Sequence, residues 1–353
     1  MRRRQKMTAP SKRISCLIAS LALAASFARA DTPRPNAQSD TARVVGAANA
    51  FLATLDPKQR AAVSFAFDDE AQRKRWSNLP VKMAPRSGLA MGELTEAQRE
   101  AAMAVLSSAL SERGLEKVRQ IVEADEVLKT NDQNNPMFGK DLFFISFLGT
   151  PSETDPWMIQ FGGHHLALNV TIVGEQGVFT PSLTAAQPAQ FKRGEQTIRP
   201  LGAENDKAFA LLGALDEGQR KKAILNYRVA DLVLGPGKDG QTVQPEGLKA
   251  SEMNERQRAM LLDLVSEWAG LGRGGYAAAR VAEVKAGLDE TWFAWSGPTT
   301  AEPGKNGTAY YRVQGPKLVI EYAPQRLGGD LSMHIHTIYR DPTNDYGRGL
   351  TKK

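Results

Sequence analysis

One short pattern occurs four times in this 353-residue chain, and its spacing constrains the fold more than any single motif does. The four copies are Leu55-Asp56-Pro57-Lys58-Gln59-Arg60, Leu94-Thr95-Glu96-Ala97-Gln98-Arg99, Leu215-Asp216-Glu217-Gly218-Gln219-Arg220 and Met253-Asn254-Glu255-Arg256-Gln257-Arg258. Each reads as a helix start. Asp, Thr or Asn at the N-cap accepts from first-turn amides, and the glutamine three residues on reaches back to the cap amide. Pro57 suits the first helical position, where no N–H is needed. Within the pairs the starts lie 39 and 38 residues apart, and the pairs are offset by 160 and 159. Two similar halves follow, 40–182 and 204–353, joined by a linker at 183–203. A repeat this long is a duplicated domain rather than a solenoid.

The segments after each pair agree with that reading. Residues 101–129 read as two amphipathic helices broken near Gly114, and 255–287 as two broken around Gly272–Gly275. Both halves then turn rich in aromatic and β-branched residues: 141–149 resembles 291–297, 157–163 resembles 310–315, and 166–169 stands opposite 318–321. Alternation with glycine-containing turns predicts antiparallel strands. The expected fold class is α+β: two pseudo-repeated halves, each capped helices followed by antiparallel strands, in one compact unit.

The basic character of the chain belongs to its first 30 residues. They carry Arg2, Arg3, Arg4, Lys6, Lys12, Arg13 and Arg29, no acid, an apolar run from Ile14 to Phe27, and Ala28-Arg29-Ala30. That is the pattern of a secretory signal peptide cleaved between Ala30 and Asp31, with an apolar run too short for a transmembrane helix. A flexible leader is expected at 31–39. Removing residues 1–30 takes the net charge from +6 to −1. A basic nucleic-acid footprint is therefore not expected. The one cysteine, Cys16, goes with the leader, leaving neither a disulfide nor a thiol nucleophile. The expected destination is the periplasm or the medium, with no transmembrane segment in the mature chain.

All four histidines fall in two clusters, His164-His165 and His334-Ile335-His336. Residues 332–339 alternate as a strand does, so His334 and His336 share one face and can serve one metal ion. On a strand His164 and His165 point to opposite faces, and one of them reaches the shared site unless a bulge re-aims the pair. A hairpin of 317–323 with 332–338, centred near 327–328, sets Glu321 opposite His334 as a fourth ligand or a base. Three imidazoles with a carboxylate or an open position suit a divalent metal or copper: zinc, copper, iron or manganese. The competing readings are hydrogen-bonded structural histidines and a metal-free acid–base pair.

Further polar groups follow the histidine strand. Arg340 can clamp a carboxylate or phosphate through its fork, with Asp341 beside it, or can lock the C-terminal turn by pairing with an aspartate. The expected site thus comprises His164, His165, His334 and His336 as metal ligands and Glu321, Arg340 and Asp341 as catalytic groups. Arg86, Trp76, Asn169, Asp345 and Tyr346 are expected to bind a small-molecule ligand. No phosphate loop, nucleophile elbow, Cys-x-x-Cys or His-Glu-x-x-His motif is present.

Several of these stretches resemble a family of exported bacterial proteins known as domain of unknown function 3500. They are Gly163-His164-His165-Leu166-Ala167-Leu168-Asn169, Trp76 with Pro80 and Arg86-Ser87-Gly88, Phe147-Leu148-Gly149-Thr150-Pro151 with Trp157, and His334-x-His336 followed by Arg340-Asp341-Pro342-x-Asn344-Asp345-Tyr346-Gly347. The resemblance spans nearly all of the mature chain and implies export but no activity. The functional expectation is an exported metal-binding protein, a metal-dependent hydrolase or oxidase acting on a small anionic substrate. The alternative is a non-catalytic binding or structural protein whose histidines are hydrogen-bonded core residues.

Overall fold

The four repeated hexapeptides start four helices, and each start is a reciprocal capping box. Asp56, Thr95, Asp216 and Asn254 accept from the amides of Gln59, Gln98, Gln219 and Gln257, whose side chains return to the cap amides. The glutamines also join in pairs. Gln98 Nε2 donates to Gln59 Oε1 at 2.9 Å and to Thr54 O at 3.0 Å; Gln257 Nε2 donates to Gln219 Oε1 and to Ala214 O, both at 2.8 Å.

The computed structural model describes residues 38–351. The expected signal peptide at 1–30 with Cys16, the leader as far as Ala37, and Lys352-Lys353 lie outside the described residues. Ser39 N-caps the first helix by accepting from Ala42 N. The first run of elements is α1 (Asp40–Ala53), α2 (Pro57–Val63), β1 (Ser64–Phe65), α3 (Glu70–Arg73), β2 (Leu89–Ala90), α4 (Glu96–Ala109), α5 (Glu112–Asn131), β3 (Phe144–Leu148), β4 (Trp157–Gly163), β5 (Leu166–Val173), β6 (Gln176–Val178) and β7 (Ser182–Ala186). A small hairpin of β8 (Phe191–Arg193) and β9 (Gln196–Ile198) follows. The second run is α6 (Gly202–Ala214), α7 (Glu217–Ala223), β10 (Leu248–Lys249), α8 (Glu255–Ala269), α9 (Gly274–Ala286), β11 (Trp292–Ser296), β12 (Tyr310–Gly315), β13 (Leu318–Pro324) and β14 (Ile335–Arg340), closed by α10 (Arg348–Thr351).

Helices and strands meet in one mixed α/β unit built on a twelve-stranded sheet. Its order is β1-β3-β4-β5-β7-β14-β13-β12-β11-β10, with β2 on β3 and β6 on β5; every pairing is antiparallel except β1 with β3. One face is apolar and buried under helices in two clusters. The first gathers Phe51, Val105 and Ile121 with Phe147, Ile159 and Leu168; the second gathers Leu211, Leu264 and Trp268 with Phe293, Ile320 and Tyr339. The other face is largely polar, around a small cluster that includes Leu183, Ala185 and Ile338. Two long connections, 66–88 and 225–247, supply its polar partners: Gln72 meets Gln160, and Val233 and Leu234 meet Glu321.

Residues 183–203, expected to be a linker, instead hold most of β7 and the β8–β9 hairpin. β7 sits in the middle of the sheet between β5 and β14, pairing Ala186 with Ile335, Ala185 with His336 and Thr184 with Thr337. Thr184 and Thr337 bond each other across that seam at 2.7 Å, and Trp268 Nε1 donates to Thr337 Oγ1. Small residues fill a strand pressed between a helix layer and buried polar groups, so β7 lacks the bulky alternation that marks β3 to β5. Among the described residues no helix is long and apolar enough to cross a membrane.

Candidate metal centre

The β4–β5 hairpin turns on two residues, His164 and His165, between paired Gly163 and Leu166. A side chain on Gly163 would strike Leu142 O, 2.6 Å from its Cβ position, so the close approach requires glycine. His165 has φ +62°, a left-handed conformation that costs a non-glycine residue about 1–2 kcal/mol. The turn is pinned on both sides: Ala185 N donates to His165 O at 2.8 Å, and Arg86 Nη2 donates to Gly163 O at 2.9 Å. His336 lies on β14 and His334 just before it, both on the loop-covered face, while Ile335 and Tyr339 face the helices.

These elements bring three imidazoles to one point. His334 Nε2 lies 3.0 Å from His165 Nε2 and 3.0 Å from His336 Nε2, and all three residues are buried. Protons alone do not account for this packing. His334 Nδ1 faces Leu327 O at 2.8 Å, a group that only accepts, so Nδ1 carries the proton and Nε2 a lone pair. One in-plane lone pair faces two nitrogens, and a hydrogen bond satisfies one of them. Among the described residues His336 Nδ1 is buried without a hydrogen bond, and the Asp231 carboxylate lies 3.6 Å away. Nitrogens at about 2.05 Å from a tetrahedral ion stand about 3.3 Å apart, close to the spacing here. Burial holds His334 down at about 4 and also lowers His165 and His336, with the neighbouring histidines adding to the effect at His165 and His334. The imidazoles are thus neutral near pH 7, the form that binds metal. The buried group His165, His334 and His336 can hold a metal ion.

His164 plays a different part. Its Nδ1 lies 2.6 Å from Asp125 Oδ1, and its ring stacks on His165 with centroids 3.6 Å apart. Asp125, His164 and His165 also form a tight group. A separation of 2.6 Å is shorter than two ligands of one ion keep and is that of a charge-assisted hydrogen bond. Gly139 N donates to the other Asp125 oxygen at 2.8 Å. A cleft of about 160 Å³ opens beside His334, between Leu128 and Asn131 of α5, Gln187 and Pro188 after β7, and the 328–333 loop.

The family model for a protein of unknown function, DUF3500, matches residues 37–348. The chain belongs to the DUF3500 family. No curated protein and no solved structure matches it.

In this DUF3500 chain the remaining expected site residues lie elsewhere in the network. Glu321 is not opposite His334; it pairs with Ile338, because 331–333 form a 3₁₀ turn and the hairpin centres two residues later than expected. Its carboxylate accepts from Tyr310 Oη at 2.6 Å, Val233 N at 2.9 Å and Leu234 N at 2.7 Å. Arg340 offers no free fork. It donates to Leu234 O, Gly235 O, Asp239 and Asp345 and lies over the Trp76 ring. Asp341 accepts from Arg280 and from Thr343. Trp76 Nε1 donates to Tyr346 Oη, which donates to Asp239. Asn169 is held by Gln160 and Pro181 O. Arg86 donates to the carbonyls of Ser77, Leu79, Ala84 and Gly163, and burial lowers it to about 10. Burial pushes Asp345 up to about 6 despite Arg340.

Sequence reasoning missed Asp125 and Asp231. Asp125 had a signal: it continues the buried stripe Leu115, Val118 and Ile121 of α5, where an acid is out of place. Asp231 sits in an irregular loop with no periodicity to expose it.

Proposed function

We propose that this chain is an exported metalloprotein in which His165, His334 and His336 hold one divalent ion through Nε2, with zinc the preferred ion and copper second. The observation that carries the reading is the lone pair of His334 facing two imidazole nitrogens at 3.0 Å. Neutral nitrogen donors without a thiolate suit either metal. Leu327 O and the Asp231 carboxylate face the outer nitrogens of His334 and His336, as such partners do for metal-binding imidazoles. The cleft at His334 leaves room for a further ligand, which favours a catalytic over a closed structural site. A divalent ion there supplies Lewis acidity for hydrolysis. The protein's own groups orient the imidazoles, keep them neutral and admit the substrate from one side. Arg340 and Asp341 act at a distance by fastening the 225–247 loop and the C-terminal turn.

Export rests on the basic, apolar and small-residue pattern of residues 1–30. N-terminal sequencing of protein recovered from the periplasm tests it, with Asp31 the expected first residue. The recurrence of paired capping boxes and of element order supports a duplicated unit, 40–182 and 204–353, fused through one sheet.

The deciding experiment is the metal content of the purified protein by mass spectrometry, beside the double variant His334→Ala/His336→Ala. Near-stoichiometric metal that the variant loses supports the reading, and the identity of the ion chooses between hydrolysis and oxidation. No metal in either protein, and no binding on titration with zinc, copper, iron or manganese, refutes it.

A further inference from the structure

Five large apolar or aromatic side chains stand exposed among the described residues: Leu79, Met83, Tyr227, Val233 and Leu327. Three of them, Leu79, Val233 and Leu327, lie on loops that reach the histidine centre. Leu327, the most exposed at 77%, presents its own carbonyl to His334 Nδ1. Val233 lies two residues after Asp231, which faces His336. Leu79 O shares Arg86 Nη2 with Gly163 O, at the start of the His164–His165 turn. Isolated exposed apolar residues need no explanation; Leu327 counts because it directly precedes Gly328, which lines the cleft beside His334.

The cleft chemistry points the same way. Its walls are Leu128, Pro188 and Met333 with the amides of Asn131 and Gln187; among the described residues the one charged side chain there is Asp330, and no lysine or arginine lines it. The two guanidinium groups expected to hold an anion, Arg86 and Arg340, already donate to carbonyls and carboxylates. At about 160 Å³ the cleft is smaller than the roughly 300 Å³ that encloses a drug-sized ligand. A molecule reaching the ion therefore leaves its remaining body on the rim.

We propose that the substrate is an uncharged molecule with an apolar body, which presents one polar group to the ion beside His334 and lays that body along the apolar wall of the cleft and against Leu327 at its rim. This rests on the metal reading above and replaces the anionic substrate expected from the sequence.

The test uses the full chain loaded with cobalt(II), whose visible absorption reports ligand binding. The probes are acetohydroxamic acid, octanohydroxamic acid and succinic monohydroxamic acid, which share one metal-binding head and differ in tail. A buried methylene is worth about fourfold in affinity, so two or three on the rim give at least about tenfold. The expected order is octanoyl tighter than acetyl by at least tenfold, with the carboxylate tail the weakest. Leu327→Ser, and separately Leu128→Ser in the cleft wall, should lower the octanoyl-to-acetyl ratio at least threefold. Affinities independent of the tail, a preference for the carboxylate, or indifference to both substitutions would overturn the proposal while leaving the metal centre standing. Failure to take up cobalt removes both.

Discussion

Acid should destabilise the metal-free protein through His334 in particular. Its folded value is about 4, against an ordinary 6.5 in the unfolded chain. Below pH 6.5 the unfolded chain accepts a proton that the folded protein refuses. Stability therefore falls with pH through the folded value near 4, and the slope vanishes below it. Between pH 7 and pH 4.5 this one group accounts for about 2 kcal/mol. The side chain is buried, so solvent screening does not reduce the figure much. His165 and His336 are shifted in the same direction and add to the loss. The assay is urea unfolding with a chelator present, at both pH values, for the wild type and His334→Gln, which keeps a polar side chain but does not titrate. The wild type should lose about 2 kcal/mol more than the variant, well outside the extrapolation error. Equal losses in the two proteins, or a larger loss in the variant, would refute the idea of a buried neutral imidazole.

Asp345 should act with the opposite sign. Its folded value near 6 lies above the ordinary 3.8, so acid favours the folded state, and wild type should gain about 2 kcal/mol relative to Asp345→Asn between pH 7 and 4.5 in the same assay. Asp231→Asn should weaken metal binding about tenfold, the low end for such outer partners because that carboxylate is 60% exposed, while His336→Ala should cost far more; competition with a chromophoric chelator measures both. Arg340→Met should cost about 3–5 kcal/mol, since Asp239 and Asp345 lose their buried partner, yet folded variant should retain its metal; denaturation and metal analysis on one sample check the pair.

What could be read from the sequence was local. A capping box needs four consecutive residues, so all four helix starts were visible, and the alternation of 335–340 exposed the shared face of His334 and His336. Register was not visible. The 3₁₀ turn at 331–333 has no strong local signature, and it moved Glu321 away from His334. β7 was hidden because its small residues answer to helices and strands distant in sequence. The choice between His164 and His165 depended on a left-handed turn and on Asp125, 39 residues earlier. For Arg340 the two sequence readings differed only in what filled its fork, and Asp345, Asp239 and two carbonyls fill it.

The ligands come from opposite sides of the β7–β14 seam, with His165 and His334 169 positions apart in the sequence. An ion held there works as a removable cross-link. By the loop-closure relation used for disulfides, tying off a segment of that length disfavours the unfolded chain by about 5 kcal/mol. A chain whose one cysteine lies at position 16 has no intramolecular disulfide to do the same. The centre also cannot exist until β14, the last strand among the described residues, has docked against β7. Metal uptake would then mark the completion of folding, and a chain truncated before residue 334 would carry no such mark.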